Sequence, residues 1–199
     1  MTTTDTTSDT DLLRQLRDGN AAAFQALYRR HQGPLFRFAV LRCGSSDSAA
    51  DVVQEVFMGL LTGTLRFDPL RGALSHFLFG VARNLILRHE QPHLRAQALP
   101  EPEDDLDEAE EAGCTRHEPL ARLLSDELAE QVRRAIALLP PHYRDVLILY
   151  EMHELSYLEI AQICQVDIGT VRSRLSRGRA AMSKRLAAHR PTTMNEVLP

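Results

Sequence analysis

From Thr170 to Arg185 the chain carries Arg172, Ser173, Arg174, Ser176, Arg177, Arg179, Lys184 and Arg185 with no acid among them. Arginine can hold a guanine edge bidentately, and serine can serve either donor or acceptor edges. The amides of a helix's first turn can receive a phosphate. Residues of these types at helical spacing suit the major groove of DNA. The contrary reading is a terminal amphipathic helix whose cations complement its macrodipole and remain solvated. The element in front decides between the two. Ser156 and Glu159 stand in the S-x-x-E relation of a capping box, so a helix should begin at Tyr157. Leu158, Ala161 and Ile163 give it an apolar side that fades at Gln165. A second helix can then start at Asp167 or Gly169, with Val171, Leu175, Met182 and Leu186 as its buried stripe. A capped helix, a short turn and a basic helix make a helix-turn-helix reader.

Other chemistry is weaker on the page. His89, His93, Cys114 and His117 form an H-x₃-H … C-x₂-H pattern with ligand types that zinc accepts. The two pairs straddle an acidic run, and no metal site is read from them. No glycine-rich phosphate loop and no Ser/His/Asp or Cys/His set can be defended from spacing, so no catalytic residue and no cofactor is expected, and the chain reads as a non-enzyme. Three widely spaced cysteines argue against a disulfide framework and for a reducing compartment. The Thr/Asp-rich start is not a secretory signal, and no apolar run approaches a membrane span. The expected setting is cytoplasmic, without membrane insertion.

The elements that must position these residues are helical throughout. After a tail over residues 1–10, Leu12, Leu13 and Leu16 and then Phe24, Leu27 and Tyr28 recur at helical spacing, separated by the Asp18-Gly19-Asn20 turn. Another helix can start at Pro34 and stop at Cys43-Gly44. Asp47 or Ser48 can cap the next, whose stripe is Val52, Val53, Val56, Phe57 and Leu60, with Asp51, Gln54 and Glu55 on its other face. A turn-rich link over Thr62 to Gly72 leads to a helix bearing Leu74, Leu78, Val81 and Leu85, with Arg83, Asn84 and Arg88 elsewhere on it and an end expected at Gln91-Pro92. Residues 99–119 hold nine acids between prolines and little apolar surface, which reads as a flexible, solvated linker. Helical periodicity returns over Leu123 to Leu139, is broken at Pro140-Pro141, and resumes with Val146, Leu147 and Tyr150. The fold class is therefore all-α. Two small helical domains, over residues 11–98 and 120–190, would be joined by the acidic linker, with a second tail over 191–199. The net charge of −4 hides this asymmetry: acids gather in the linker, and the last helix is basic.

With both halves read, the chain resembles the extracytoplasmic-function (ECF) sigma factors, the compact group of the sigma-70 family of bacterial RNA polymerase subunits. The segment from Ala135 to Met182, AIALLPPHYRDVLILYEMHELSYLEIAQICQVDIGTVRSRLSRGRAAM, is similar to that family's region 4. Asp47 to Phe57 (DSAADVVQEVF) is similar to region 2.2, and Gly80 to Glu90 (GVARNLILRHE) to regions 2.3 and 2.4. The resemblance implies an alternative sigma factor that binds core RNA polymerase, recognises promoter −35 and −10 elements, and promotes initiation. Its implied partners are core polymerase, promoter DNA and an anti-sigma factor. It implies polymerase contact by Asp51, Gln54 and Glu55, and −10 contact by Asn84, Arg83 and Arg88 beside the base-capturing loop, where Phe67 or Phe79 could stack on a base or else fill the core. It implies −35 contact by Thr170, Arg172, Ser173, Arg174, Ser176 and Arg177. Alternative readings are an activator sharing the reader without being a polymerase subunit, and a helical protein–protein adaptor. The chain departs from the family in reading Phe77-Leu78-Phe79 where a tryptophan is usual. Gln165 and Glu154 stand where glycine is usual, and Asp167 where proline is common.

Overall fold

The computed structural model describes residues 7–96 and 120–187, with side chains placed for 7–90 and 128–187. Among them every regular element is helical: α1 (Asp9–Arg17), α2 (Ala21–Cys43), α3 (Ser46–Leu61), a 3₁₀ turn (Pro69–Arg71), α4 (Leu74–Ala96), α5 (Leu120–Ala137), α6 (Pro141–Glu151), α7 (Tyr157–Cys164) and α8 (Ile168–Ala187). The all-α class expected from periodicity is what is found. The acidic segment and the C-terminal tail lie outside the described residues.

Several boundaries differ from expectation for local reasons. The first helix begins at Asp9, inside the span read as tail, because the Ser8 side chain accepts from the Asp11 amide and caps it. Asp9 is then held by Arg30 at 2.5 Å and His31 at 2.8 Å. No helix starts at Pro34; that proline lies inside α2. It removes one backbone hydrogen bond, and burial of Leu27, His31, Leu35 and Phe38 along one continuous stripe offsets the loss. The cap of α3 is Ser45 rather than Asp47 or Ser48. The helix expected to end at Gln91-Pro92 runs on to Ala96. In α7 the core side is Ile160, Ala161, Ile163 and Cys164, while Leu158 is exposed.

The first four helices and the last four each bury an apolar stripe, and the two sets also pack on each other through α2 and α4 against α5, α6 and α7. Their buried side chains form one cluster. The contact between the halves is partly ionic. Arg42, at the end of α2, is 0% exposed and gives Nε to Asp145 Oδ1 of α6 at 2.5 Å, where Asp145 is 1% exposed. Its other two nitrogens bind both carboxylate oxygens of Glu90 at 2.5 and 2.7 Å. Arg83 of α4 gives Nε to the remaining Asp145 oxygen at 2.7 Å. Burial works to lower the Arg42 pKa, but Glu90 and Asp145 outweigh it and hold the guanidinium firmly protonated. Arg144 completes the contact by donating to the carbonyls of Arg42 and Leu139 at 2.8 Å each, and to that of Ala137. Beside this ionic patch, His153 follows α6 and lies 4.7 Å from the Phe79 ring and 6.3 Å from Phe38.

Candidate nucleic acid and polymerase interfaces

The reader is built as its sequence dictates. Ser156 caps α7: its hydroxyl accepts from the Glu159 amide at 3.4 Å while the Glu159 carboxylate accepts the Ser156 amide at 2.7 Å. Hydrogen bonds from the Ser156 hydroxyl and amide pull the Glu159 pKa down. The turn is made by Gln165 in the left-handed region, φ 57° and ψ 47°, a conformation glycine takes more easily. In α8, Val171, Leu175, Gly178 and Met182 are buried. Arg172, Ser173, Ser176 and Arg177 are exposed on the outer side, and Thr170 and Arg174 are half-buried. Ser173 Oγ donates to the Thr170 carbonyl at 3.0 Å.

Sequence reasoning did not find the aromatic support under this face. Tyr157 and Tyr150 stack with centroids 5.3 Å apart. The Arg172 guanidinium lies 5.8 Å from the Tyr157 centroid and that of Arg179 lies 5.1 Å from Tyr150. Arg179 is also paired with Glu151 at 2.8 Å. Arg172 and Arg179 are seven residues apart, two helical turns on one side of α8, which is the signal that a pair of rings beneath them would have answered.

In the N-terminal half the residues expected at one DNA site do not share one environment. Asn84 and Arg88 are exposed. Arg88 pairs with Glu55 of α3 at 2.6 Å, which ties a residue expected on DNA to one expected on polymerase. The Arg83 side chain is 13% exposed and is taken up by Asp145. Phe67 is buried with its ring 5.6 Å from Phe77, and it also lines the cleft that holds Asn84. Phe79 is buried against Phe38 at 5.4 Å. A cleft of about 810 Å³ joins the loop residues Arg66 and Arg71 and the α4 residues His76 and Asn84 to Gln162 and Gln165 of the reader. One wall of this cleft thus comes from each half.

On α3, Asp51, Gln54 and Glu55 are all exposed, opposite the buried Val52, Val53, Val56 and Phe57. Beside Gln54 runs a groove of about 570 Å³ lined by Tyr28, Phe36, Val53, Phe57 and Met58. Tyr28, Phe36 and Met58 are each more than a third exposed.

The metal pattern is not assembled among the described residues: His89 is exposed near Glu55, at 3.9 Å, and no group of three His, Cys, Asp or Glu side chains converges. The side chain of His93, and Cys114 and His117, lie outside the described residues. No described helix is long and apolar enough to cross a membrane.

Residues 27–98 match the family described as sigma-70 region 2, and residues 129–182 match sigma-70, region 4. The ECF RNA polymerase sigma-E factor of Escherichia coli (strain K12) is 35% identical over 188 residues, covering 90% of this chain and 94% of that protein. The ECF RNA polymerase sigma factor SigE of Mycolicibacterium smegmatis is 31% identical over 173 residues, 86% of this chain; the chain spans 64% of that relative's length. Among solved structures, CnrH in complex with the cytosolic domain of CnrY is similar with a TM-score of 0.63 and 26% identity, over 92% of this chain and 99% of that one.

Proposed function

The chain belongs to the extracytoplasmic-function sigma factors of the sigma-70 family and is an alternative sigma factor for transcription initiation, and from that premise we propose which of its surfaces meets which partner. The outer side of α8 is assigned to the promoter −35 element, with Arg172, Ser173, Ser176 and Arg177 on base edges and Thr170 and Arg174 on phosphates. The observation that carries this is the exposure of Arg172, Ser173, Ser176 and Arg177 over a helix whose other side is buried. Base contacts specify and phosphate contacts position, so the two groups do different work. Asn84 and Arg88, with Arg83 and the loop over residues 62–72, are assigned to the −10 element. Phe67 is assigned there as a support for Phe77 and the loop. A base extruded from the duplex costs a few kcal/mol, which a pocket recovers by stacking and hydrogen bonding.

Asp51, Gln54 and Glu55 are assigned to core polymerase. The aromatic groove beside Gln54 supports this, since a stable interface needs an apolar centre within a polar rim. The domain limits that fit these roles are residues 11–98 for polymerase and −10 contacts and 120–190 for the −35 reader, with 99–119 as the tether. An anti-sigma factor is the further partner assigned. Its support is the likeness to CnrH, which was solved with another protein's cytosolic domain bound. A sigma factor is a regulatory subunit, and no catalytic residue, cofactor or metal is assigned.

The test is run-off transcription by purified core polymerase, with and without this protein, on a pool of upstream fragments from its own genome. The expected result is a set of new transcripts whose upstream regions share two spaced elements. Arg172→Ala with Arg177→Ala should then relax use of the distal element, at about 1–3 kcal/mol per lost bidentate contact. Asn84→Ala should impair the proximal element alone. No new transcript, together with failure to co-purify with core, would sink the assignment of surfaces.

A further inference from the structure

Two arginine side chains of the N-terminal half converge on a single carboxylate of the C-terminal half. Arg42 Nε and Arg83 Nε each take one oxygen of Asp145, at 2.5 and 2.7 Å. The paired side chains are 0%, 13% and 1% exposed. Guanidinium edges recognise carboxylate and phosphate by the same fork of N–H donors. The seat is therefore an oxyanion seat, filled here from within the chain.

Its place in the fold gives it meaning. Arg83 precedes Asn84, which lines the cleft shared with the reader. One turn before Arg83, a Cβ on Gly80 would lie 3.9 Å from the Ile163 carbonyl of α7. Helices α6 and α7 thus lie across the strip of α4 that runs from Gly80 to Asn84. If they depart, Arg42 keeps Glu90 but Arg83 loses its carboxylate. The two guanidiniums then face one remaining acid, an excess of a single positive charge. A phosphodiester carries the single negative charge that Asp145 took away.

We infer that the Arg42–Arg83 seat binds a backbone phosphate of the promoter strand next to the −10 element, and that Asp145 occupies this seat as a phosphate stand-in when DNA is absent. The two occupants exclude each other. The inference rests on the assignment of α4 to the −10 element, and it adds Arg42 to the DNA surface and Asp145 to its control.

The test uses the full-length chain, free and bound to core polymerase, on forked promoter DNA taken from a run-off template. Asp145→Asn weakens the internal occupant without changing its shape, so the free chain should bind that DNA about tenfold more tightly than the unmodified chain, a gain of about 1.4 kcal/mol. Adding Arg83→Gln should reverse the gain and lower the salt dependence of binding by about one phosphate contact. A second series replaces single phosphates through the −10 region by neutral methylphosphonates. One position should weaken the unmodified holoenzyme and have no further effect on the Arg83→Gln holoenzyme. The inference is overturned if Asp145→Asn, folded by circular dichroism, binds no more tightly, or if every methylphosphonate acts equally on both holoenzymes. If Asp145→Asn does not fold, the methylphosphonate series decides alone. A holoenzyme that starts transcription and still shows no such position defeats the phosphate seat; one that starts none defeats the promoter assignment beneath it.

Discussion

Gln165 shows how far a single residue can be read and where physics adds to the reading. Glutamine stands in the turn between α7 and α8 where the family has glycine, and it sits at φ 57°, a backbone conformation that costs a residue with a Cβ. Glu154, the other residue standing where the family has glycine, is also left-handed at φ 54°. Gln165→Gly should therefore raise stability by about 1 kcal/mol, measured as the shift in a urea unfolding midpoint at unchanged slope. An unchanged or lower midpoint would show that the Gln165 side chain contributes more than its backbone costs. The chemistry-bearing residues of α8 were legible because arginine and serine at helical spacing carry their own signal. Arg42 was not: it looks like any arginine near a helix end, and its partner Asp145 is 103 residues away. A long-range ion pair leaves no local period. Phe67 was ambiguous for the opposite reason, since a ring that could stack on a base could equally fill a core, and burial against Phe77 gives it the second role here.

At the scale of elements, the capped helices were plain and the proline-bearing ones were not. The S-x-x-E box marked the start of α7 correctly, because a cap is a local bargain between a side chain and nearby amides. Pro34 and Pro92 were read as boundaries, yet both lie within helices; for α2, burial of the flanking stripe overrides the broken bond. The loop after α3 is an element in its own right. The Leu65 amide and the Thr64 hydroxyl both donate to the Gly59 carbonyl, at 3.0 and 3.2 Å. The Leu65 side chain lies where a Gly59 Cβ would be, with two carbons at 2.7 and 2.8 Å. Gly59→Ala should lift this loop off α3 at a cost of about 1–3 kcal/mol. On the proposed assignment it should depress initiation at promoters dependent on the −10 element while leaving duplex binding by α8 intact. Equal loss of both would mean that the loop serves the fold as a whole.

At the scale of the molecule, the packing of the halves on each other is what the sequence least disclosed, because its apolar part is continuous with each half's own core. His153 gives that contact a pH dependence. Burial, aided by the charge of Arg37, lowers its pKa from 6.5 to about 4, and its Nε2 has no hydrogen-bond partner among the described residues. A base whose pKa is lowered in the packed state stabilises that state fully above 6.5 and loses the contribution as pH falls from 6.5 toward 4. Allowing for partial exposure, about 1–3 kcal/mol of docking should vanish across that window. Small-angle scattering should show a larger radius of gyration at pH 5 than at pH 7.5, and His153→Phe should remove the difference. Growth of both proteins alike on acidification would place the switch in the carboxylates instead. While the halves are packed, the aromatic groove of α2 and α3 stays open as the cleft beside Asn84 is walled by the reader. On the proposed assignment of surfaces, the chain can thus meet polymerase before it meets the −10 strand. The Arg42–Asp145–Arg83 contact also bears on heredity. Its members come from both halves of the chain, so recombination between relatives that exchanges one half alone brings together faces with no shared history. Hybrids of that kind should be repaired by second-site changes at residue 42, 83 or 145, far from the crossover that made them.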